Sequence, residues 1–121
     1  MKISRELLTN LVGLSRQAFP REVGGILLVG EKGKDKAIID DFVLTPGQFY
    51  EDSVVVHLEN IPIYANATGS FHSHPRGIPL PSKADKDFFS RTGKVHLIIA
   101  VPSNDVGVFD GKGKPLKLDV V

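Results

Sequence analysis

The chain contains no cysteine. That absence excludes a disulfide framework, a thiolate metal cage and a cysteine nucleophile together. Any metal must therefore be held by nitrogen and oxygen. Surplus charge is also missing: 15 Lys and Arg stand against 14 Asp and Glu, a formal net charge of +1. Such a balance supplies no bulk electrostatic drive toward nucleic acid or an anionic membrane. The longest apolar run, Leu97-Ile98-Ile99-Ala100-Val101, falls far short of the ~20 apolar residues of a membrane span. The opening Met1-Lys2-Ile3-Ser4-Arg5-Glu6 has no apolar signal segment. A soluble, cytoplasmic protein is expected, with neither nucleic acid nor membrane as partner.

What is present is ordinary globular material. The 121 residues fit one domain, 1–121, and 41% hydrophobic with 24% charged residues leave no case for disorder. Ile3, Leu7, Leu8, Leu11, Leu14, Ser15 and Ala18 recur at helical spacing, with Ser4 placed to cap the start and Pro20 to stop the helix. Gly13 inside it costs ~1 kcal/mol against Ala, which leads us to expect a close packing contact there.

Val23 to Gly30 is a continuous apolar run bounded by glycine, the pattern of a strand covered on both faces, and Gly24 and Gly25 would admit a close neighbour. A polar turn over 31–36 leads to a returning strand, Ala37 to Leu44. Thr45 to Ser53 reads as a loop, Val54 to Leu58 as a strand, and Glu59 to Ala67 as a short helix interrupted by Pro62. Strands at 68–74, 95–101 and 106–109, a helix from Ser82 to near Gly93, a hairpin turn at 110–114 and a closing segment at 116–121 complete a mixed α/β sheet with at least two helices.

The chemistry concentrates in Gly69-Ser70-Phe71-His72-Ser73-His74-Pro75 and the segment after it. Strand side chains alternate, so His72 and His74 share one face while Phe71 and Ser73 point to the other. Two imidazoles on one strand are half of a tetrahedral zinc site, although so short a motif also arises by chance at an exposed strand end. Ser82-Lys83-Ala84-Asp85 then puts a carboxylate into the first turn of the next helix. Ser82 and Asp85 also suit a capping box, so both readings stand for them. Two imidazoles and one carboxylate would leave a fourth position to water, the mark of a catalytic site. Such a site needs a proton shuttle, and Glu22, Glu51, Glu59 and Asp87 are all candidates that spacing does not separate. His57 and His96 are read as structural, His96 as a hydrogen-bonded core histidine.

These residues carry a resemblance. Glu22, then His72-Ser73-His74-Pro75, then Pro81-Ser82 and Asp85, with ten residues between His74 and Asp85, resembles the JAMM (JAB1/MPN+/Mov34) zinc metalloprotease motif. Pro20-x-Glu22-x-x-Gly25 stands where that family carries its glutamate strand, and the length and opening resemble its compact archaeal members. The resemblance implies the cytidine deaminase-like MPN fold, a curved mixed sheet flanked by helices. It implies Zn2+ held by His72, His74 and Asp85. Glu22 would take a proton from the attacking water and pass it to the leaving amine, and Ser82 would stabilise the oxyanion.

The implied activity is an isopeptidase acting on ubiquitin-like conjugates. The loops before Val54 and after Val101 are short beside those the family's larger members use to hold ubiquitin. A prokaryotic ubiquitin-like modifier or a sulfur-carrier protein ending in Gly-Gly is thus the expected substrate, and trimming of a carrier's C-terminal tail is the alternative activity. A non-catalytic MPN scaffold would typically lack one or more ligands, and none is missing here. Monomer and dimer stay open.

Overall fold

The computed structural model describes residues 1–45, 48–50, 53–55 and 65–121. Strand β1 (Lys2–Ile3) precedes helix α1 (Arg5–Ala18), followed by β2 (Gly24–Val29), β3 (Ile38–Leu44), β4 (Gln48–Tyr50) and β5 (Ser53–Val55). Strand β6 (Ala67–Pro75), helix α2 (Lys83–Thr92), β7 (Val95–Val101), β8 (Val106–Phe109) and β9 (Asp119–Val120) follow. Seven strands form one mixed sheet in the order β8-β7-β6-β2-β3-β1-β9, and β4 and β5 pair separately.

Helix α1 starts where its cap dictates: Ser4 Oγ accepts the Leu7 N–H at 3.1 Å, and Glu6 in the first turn and Arg16 in the last suit the helix dipole. Leu7 and Leu11 are buried in one cluster with Ile3, Leu27, Ile39, Phe71, Leu97 and Ile99. At about 1.5–3 kcal/mol per buried large side chain, this cluster is the main reason α1 docks. Buried Ser15 returns its hydroxyl to the Leu11 carbonyl at 2.8 Å, so no polar atom of it is stranded. Gly13 departs from expectation, because a Cβ added there would meet nothing within 4 Å. It lies on the exposed side of the helix, and no packing explains it.

The two glycine-bounded and apolar strands behave as their sequences require. Leu27 and the rest of β2 up to Leu28 are buried, as is every residue of β7. At Gly25 the close approach is real: a Cβ would overlap the Val43 carbonyl oxygen and lie 2.9 Å from Phe71 Cε1.

Four expectations are corrected. Lys2–Ile3 is a strand, parallel to both β3 and β9, and too short to leave a periodic signal. Of the 116–121 segment only Asp119–Val120 is strand; Leu116 and Leu118 pack against the core instead. Thr45 to Ser53 contains strand β4, paired antiparallel with β5, rather than loop alone. Positions 59–67, expected as a helix, end as turn and strand: Ala65 and Asn66 form a turn and Ala67 opens β6, while 59–64 with Pro62, and the expected strand beyond Val55 with His57, lie outside the described residues.

The topology places the chemistry. Strand β6 runs antiparallel to β2 and parallel to β7. Parallel neighbours need a crossover, which α2 supplies over one face of the sheet. That face carries His72 and Ile98, which are register partners, and Phe88, Phe89 and Phe109 pack there around Ile98. The opposite face carries Phe71 and Leu97 under α1. No helix among the described residues is long and apolar enough to cross a membrane.

Candidate metal centre

Strand alternation brings His72 and His74 together, and the crossover brings the third ligand to them. His72 Nε2 lies 3.0 Å from His74 Nε2. Asp85 Oδ1 is 3.2 Å from His72 Nε2, and Asp85 Oδ2 is 3.2 Å from His74 Nε2. Among the described residues these three offer one ligand atom each, all within 4.8 Å of one another. Two imidazole nitrogens and a carboxylate are a donor set for a borderline divalent metal, and three protein ligands leave a coordination position open.

Both readings of Ser82-x-x-Asp85 hold at once. Ser82 caps α2 with its Oγ accepting the Asp85 N–H at 3.1 Å, while Asp85 Oδ2 accepts the Ser82 N–H at 2.8 Å. The capping box therefore clamps the carboxylate in the orientation in which it meets both histidines. Ser82 Oγ accepts one bond in this arrangement and keeps its proton to donate elsewhere.

The ring orientation of His74 has a backbone cause. Its Nδ1 lies 3.0 Å from the Ile78 carbonyl oxygen, which can only accept, so Nδ1 carries the proton and the Nε2 lone pair faces the cluster. Orientation of a ligand imidazole by a carbonyl on its far nitrogen is a common feature of metal sites. No sequence signal marks this carbonyl beyond the Pro/Gly-rich turn that contains it.

Electrostatics follow the burial. His72 and Asp85 are 1% and 2% exposed. Burial dominates at His72 and lowers its pKa, with the Asp85 carboxylate pulling the other way. At His74 burial also opposes the charge, but the Asp85 and Ile78 hydrogen bonds and the charges of Asp85 and Glu22 outweigh it and raise the pKa. Burial opposes ionisation of Asp85, yet the two histidines and the Ser82 N–H hold its carboxyl well below the usual carboxylate range. The neutral-imidazole, ionised-carboxylate state that metal binding requires is thus favoured at His72 and Asp85.

Of the two proton-shuttle candidates among the described residues, Glu22 is the one brought to the cluster. Strands β2 and β6 pair Gly24 with His72 and Gly25 with Phe71. The ladder continues past the strand end, since the Ser73 N–H donates to Val23 O at 2.9 Å and the Val23 N–H to Ser73 Oγ at 3.0 Å. Extending that register by one step sets half-buried Glu22 opposite His74, where its charge acts on the imidazole. Asp87 is turned away and exposed, bonded to Arg91 at 2.8 Å. Glu51 and Glu59 lie outside the described residues. His96 is the core histidine expected, buried between Ser70 Oγ at 2.7 Å and the Gly93 carbonyl at 3.0 Å.

Comparison with known proteins agrees with this geometry. Residues 4–110 match the profile of the prokaryotic homologs of the JAB domain, Prok-JAB. A probable metalloprotease from Haloferax volcanii is 34% identical over 128 residues, covering 98% of this chain and 78% of that protein. The structure of a JAB1/MPN domain protein from Archaeoglobus fulgidus superposes with a TM-score of 0.76 at 32% identity, over 100% of this chain and 99% of that one. A second structure, described as JAMM, a metalloprotease-like zinc site in the proteasome and signalosome, gives a TM-score of 0.73 at 28% identity, over 100% and 97% of the two chains.

Proposed function

This chain belongs to the Prok-JAB family, the prokaryotic homologs of the JAB domain, and on that premise we propose that it is a zinc-dependent isopeptidase releasing a Gly-Gly-ended ubiquitin-like modifier from a lysine. The observation that carries the reading is the convergence of His72, His74 and Asp85 beside Glu22. His72 Nε2, His74 Nε2 and the Asp85 carboxylate would hold the ion. When bound, zinc supplies Lewis acidity, which makes water a nucleophile near neutral pH and polarises a carbonyl.

The chain's own residues do the rest. The Glu22 carboxylate accepts the proton of the attacking water as the new C–O bond forms. It then delivers that proton to the lysine amine as the C–N bond breaks. Ser82 Oγ, whose proton is not used by the helix cap, donates to the carbonyl oxygen as negative charge builds there. Asp85, locked by the Ser82 N–H, keeps His72 and His74 oriented.

The link from β7 to β8 is only the turn 102–105, so no insertion rises there to grip a large folded partner. A slender C-terminal tail is the part of a substrate such a site can hold. The same turn suits a linear extension on a sulfur-carrier protein, which makes tail processing the second reading. The decisive assay measures zinc content and cleavage of a Gly-Gly-linked lysine conjugate for the wild type and Glu22→Gln. The variant should keep stoichiometric zinc and lose about 100-fold or more in turnover. Unchanged turnover would overturn the mechanism, and cleavage of only a linear extension assayed in parallel would favour the second reading.

A further inference from the structure

Strand β8 shares a sheet face with the metal ligands, two strands away from β6. Its Gly107 pairs with Ile98 of β7, and Ile98 pairs with His72 of β6, so the three form one row across the sheet. Partners in register share a face, hence a side chain at 107 would rise on the face that bears the cluster. That space is taken. A Cβ at Gly107 would overlap the Pro79 carbonyl oxygen and would lie 2.7 Å from Phe109 Cε2 and 2.9 Å from Cζ.

The backbone over Gly107 belongs to the segment that holds His74. The Leu80 N–H donates to the Ile78 carbonyl at 2.8 Å, closing a tight turn centred on Pro79. The same carbonyl accepts the Nδ1–H of His74 at 3.0 Å. The Pro79 carbonyl shares its peptide plane with the Leu80 N–H, so displacing that oxygen swings the N–H off the Ile78 carbonyl and opens the turn. Both ends of the segment are tied as well: the Arg76 N–H bonds Val101 O at 2.7 Å, and the Ser82 N–H bonds Asp85 Oδ2 at 2.8 Å.

We propose that Gly107 is a positioning residue for the metal ligand His74: its missing side chain lets the 77–81 turn lie low enough over β8 for the Ile78 carbonyl to hold the imidazole. The proposal rests on the reading of His74 as a ligand. Gly107 touches neither substrate nor metal, and acts only through Pro79 and Ile78.

The test is a Co2+ titration of the full chain, followed by visible absorption and by competition with a chelator. Gly107→Ala should unfold cooperatively when metal-free, yet bind Co2+ on the order of tenfold or more weakly and with altered d–d bands, the size of effect seen when an imidazole loses its outer partner. Proton–nitrogen correlation spectra of the histidine rings should show loss of the bonded His74 Nδ1–H. Wild-type affinity and bands in Gly107→Ala overturn the proposal. Should that variant fail to fold, Gly107→Ala with Phe109→Leu removes the ring overlap and leaves the Pro79 one, and is compared with Phe109→Leu alone. The double variant should fold and still bind more weakly; wild-type-like affinity relative to its control, or failure to fold, overturns the idea. A wild-type chain that takes up no Co2+ overturns the metal reading itself, a result distinct from an unaltered variant.

Discussion

Lowering the pH from about 7 to about 5 should destabilise this fold by about 2 kcal/mol through one side chain, His96. The ring is 0% exposed and stacks on Phe89, with centroids 4.2 Å apart and planes 9° apart. Its Nε2 lies 3.0 Å from the Gly93 carbonyl and so carries the proton, which leaves Nδ1 to accept from Ser70 Oγ at 2.7 Å. The neutral ring is fully bonded. A second proton would face the Ser70 hydroxyl and force it to turn. Burial pushes the pKa down to about 4, with the Gly93 carbonyl opposing and the nearby His72 adding to the depression.

A lowered folded-state pKa means that the unfolded chain binds the proton first. Stability is therefore full above the unfolded value of ~6.5 and falls as the pH drops from there toward the folded value. The assay is urea unfolding with chelator present, across that window, for the wild type and His96→Gln. Loss of the Phe89 stack makes the variant less stable at every pH, so the slope carries the test. Wild type should lose about 2 kcal/mol more than His96→Gln between the two pH values. Parallel curves would refute the argument.

Asp85→Ala and Asp85→Asn should both lose tight metal binding. Only Ala should also weaken the start of α2, by about 1 kcal/mol in metal-free unfolding, since Asn can still accept the Ser82 N–H. Gly25→Ala sets a methyl against the Val43 carbonyl and Phe71 and should lower stability by about 1–3 kcal/mol in urea. Asp40 accepts the backbone N–H groups of Glu31, Lys32 and Gly33 at 2.8, 3.1 and 2.9 Å, so Asp40→Ala should destabilise by about 1–3 kcal/mol and speed amide exchange over 31–33. Zinc at about 1,000 times its dissociation constant should add about 4 kcal/mol to the stability of the wild type, and a chelator should remove it in a thermal scan.

Much of the scaffold was legible in local patterns. The apolar runs at 23–30 and 95–101 read as covered strands, and strands Gly24–Val29 and Val95–Val101 are what the chain forms there, while Ser82 with Gly93 bracketed α2 as cap residues should. The misses have local causes as well. Lys2–Ile3 and Asp119–Val120 are two-residue strands, held by pairing with each other and with β3 rather than by any propensity of their own. Gly13 broke a helical pattern without a packing reason, because an exposed helix face tolerates the ~1 kcal/mol it forfeits.

For the site, sequence alone determined the donor types and the half of the geometry that lies within one element. With no cysteine, the donors had to be nitrogen and oxygen; with a period of two, His72 and His74 had to share a face. Everything that crosses between elements was decided by the tertiary structure. The parallel pairing of β6 and β7 sends α2 over that face, and Asp85 with it. The antiparallel register of β2 on β6 sets Glu22 opposite His74, while Asp87, the other acidic candidate among the described residues, is exposed on α2 and bonded to Arg91. The turn over Gly107 supplies a carbonyl to His74, and a backbone oxygen leaves no letter in the sequence. Local rules act over a few residues of chain, whereas these contacts join positions tens of residues apart, and only the folded sheet brings them within bonding distance.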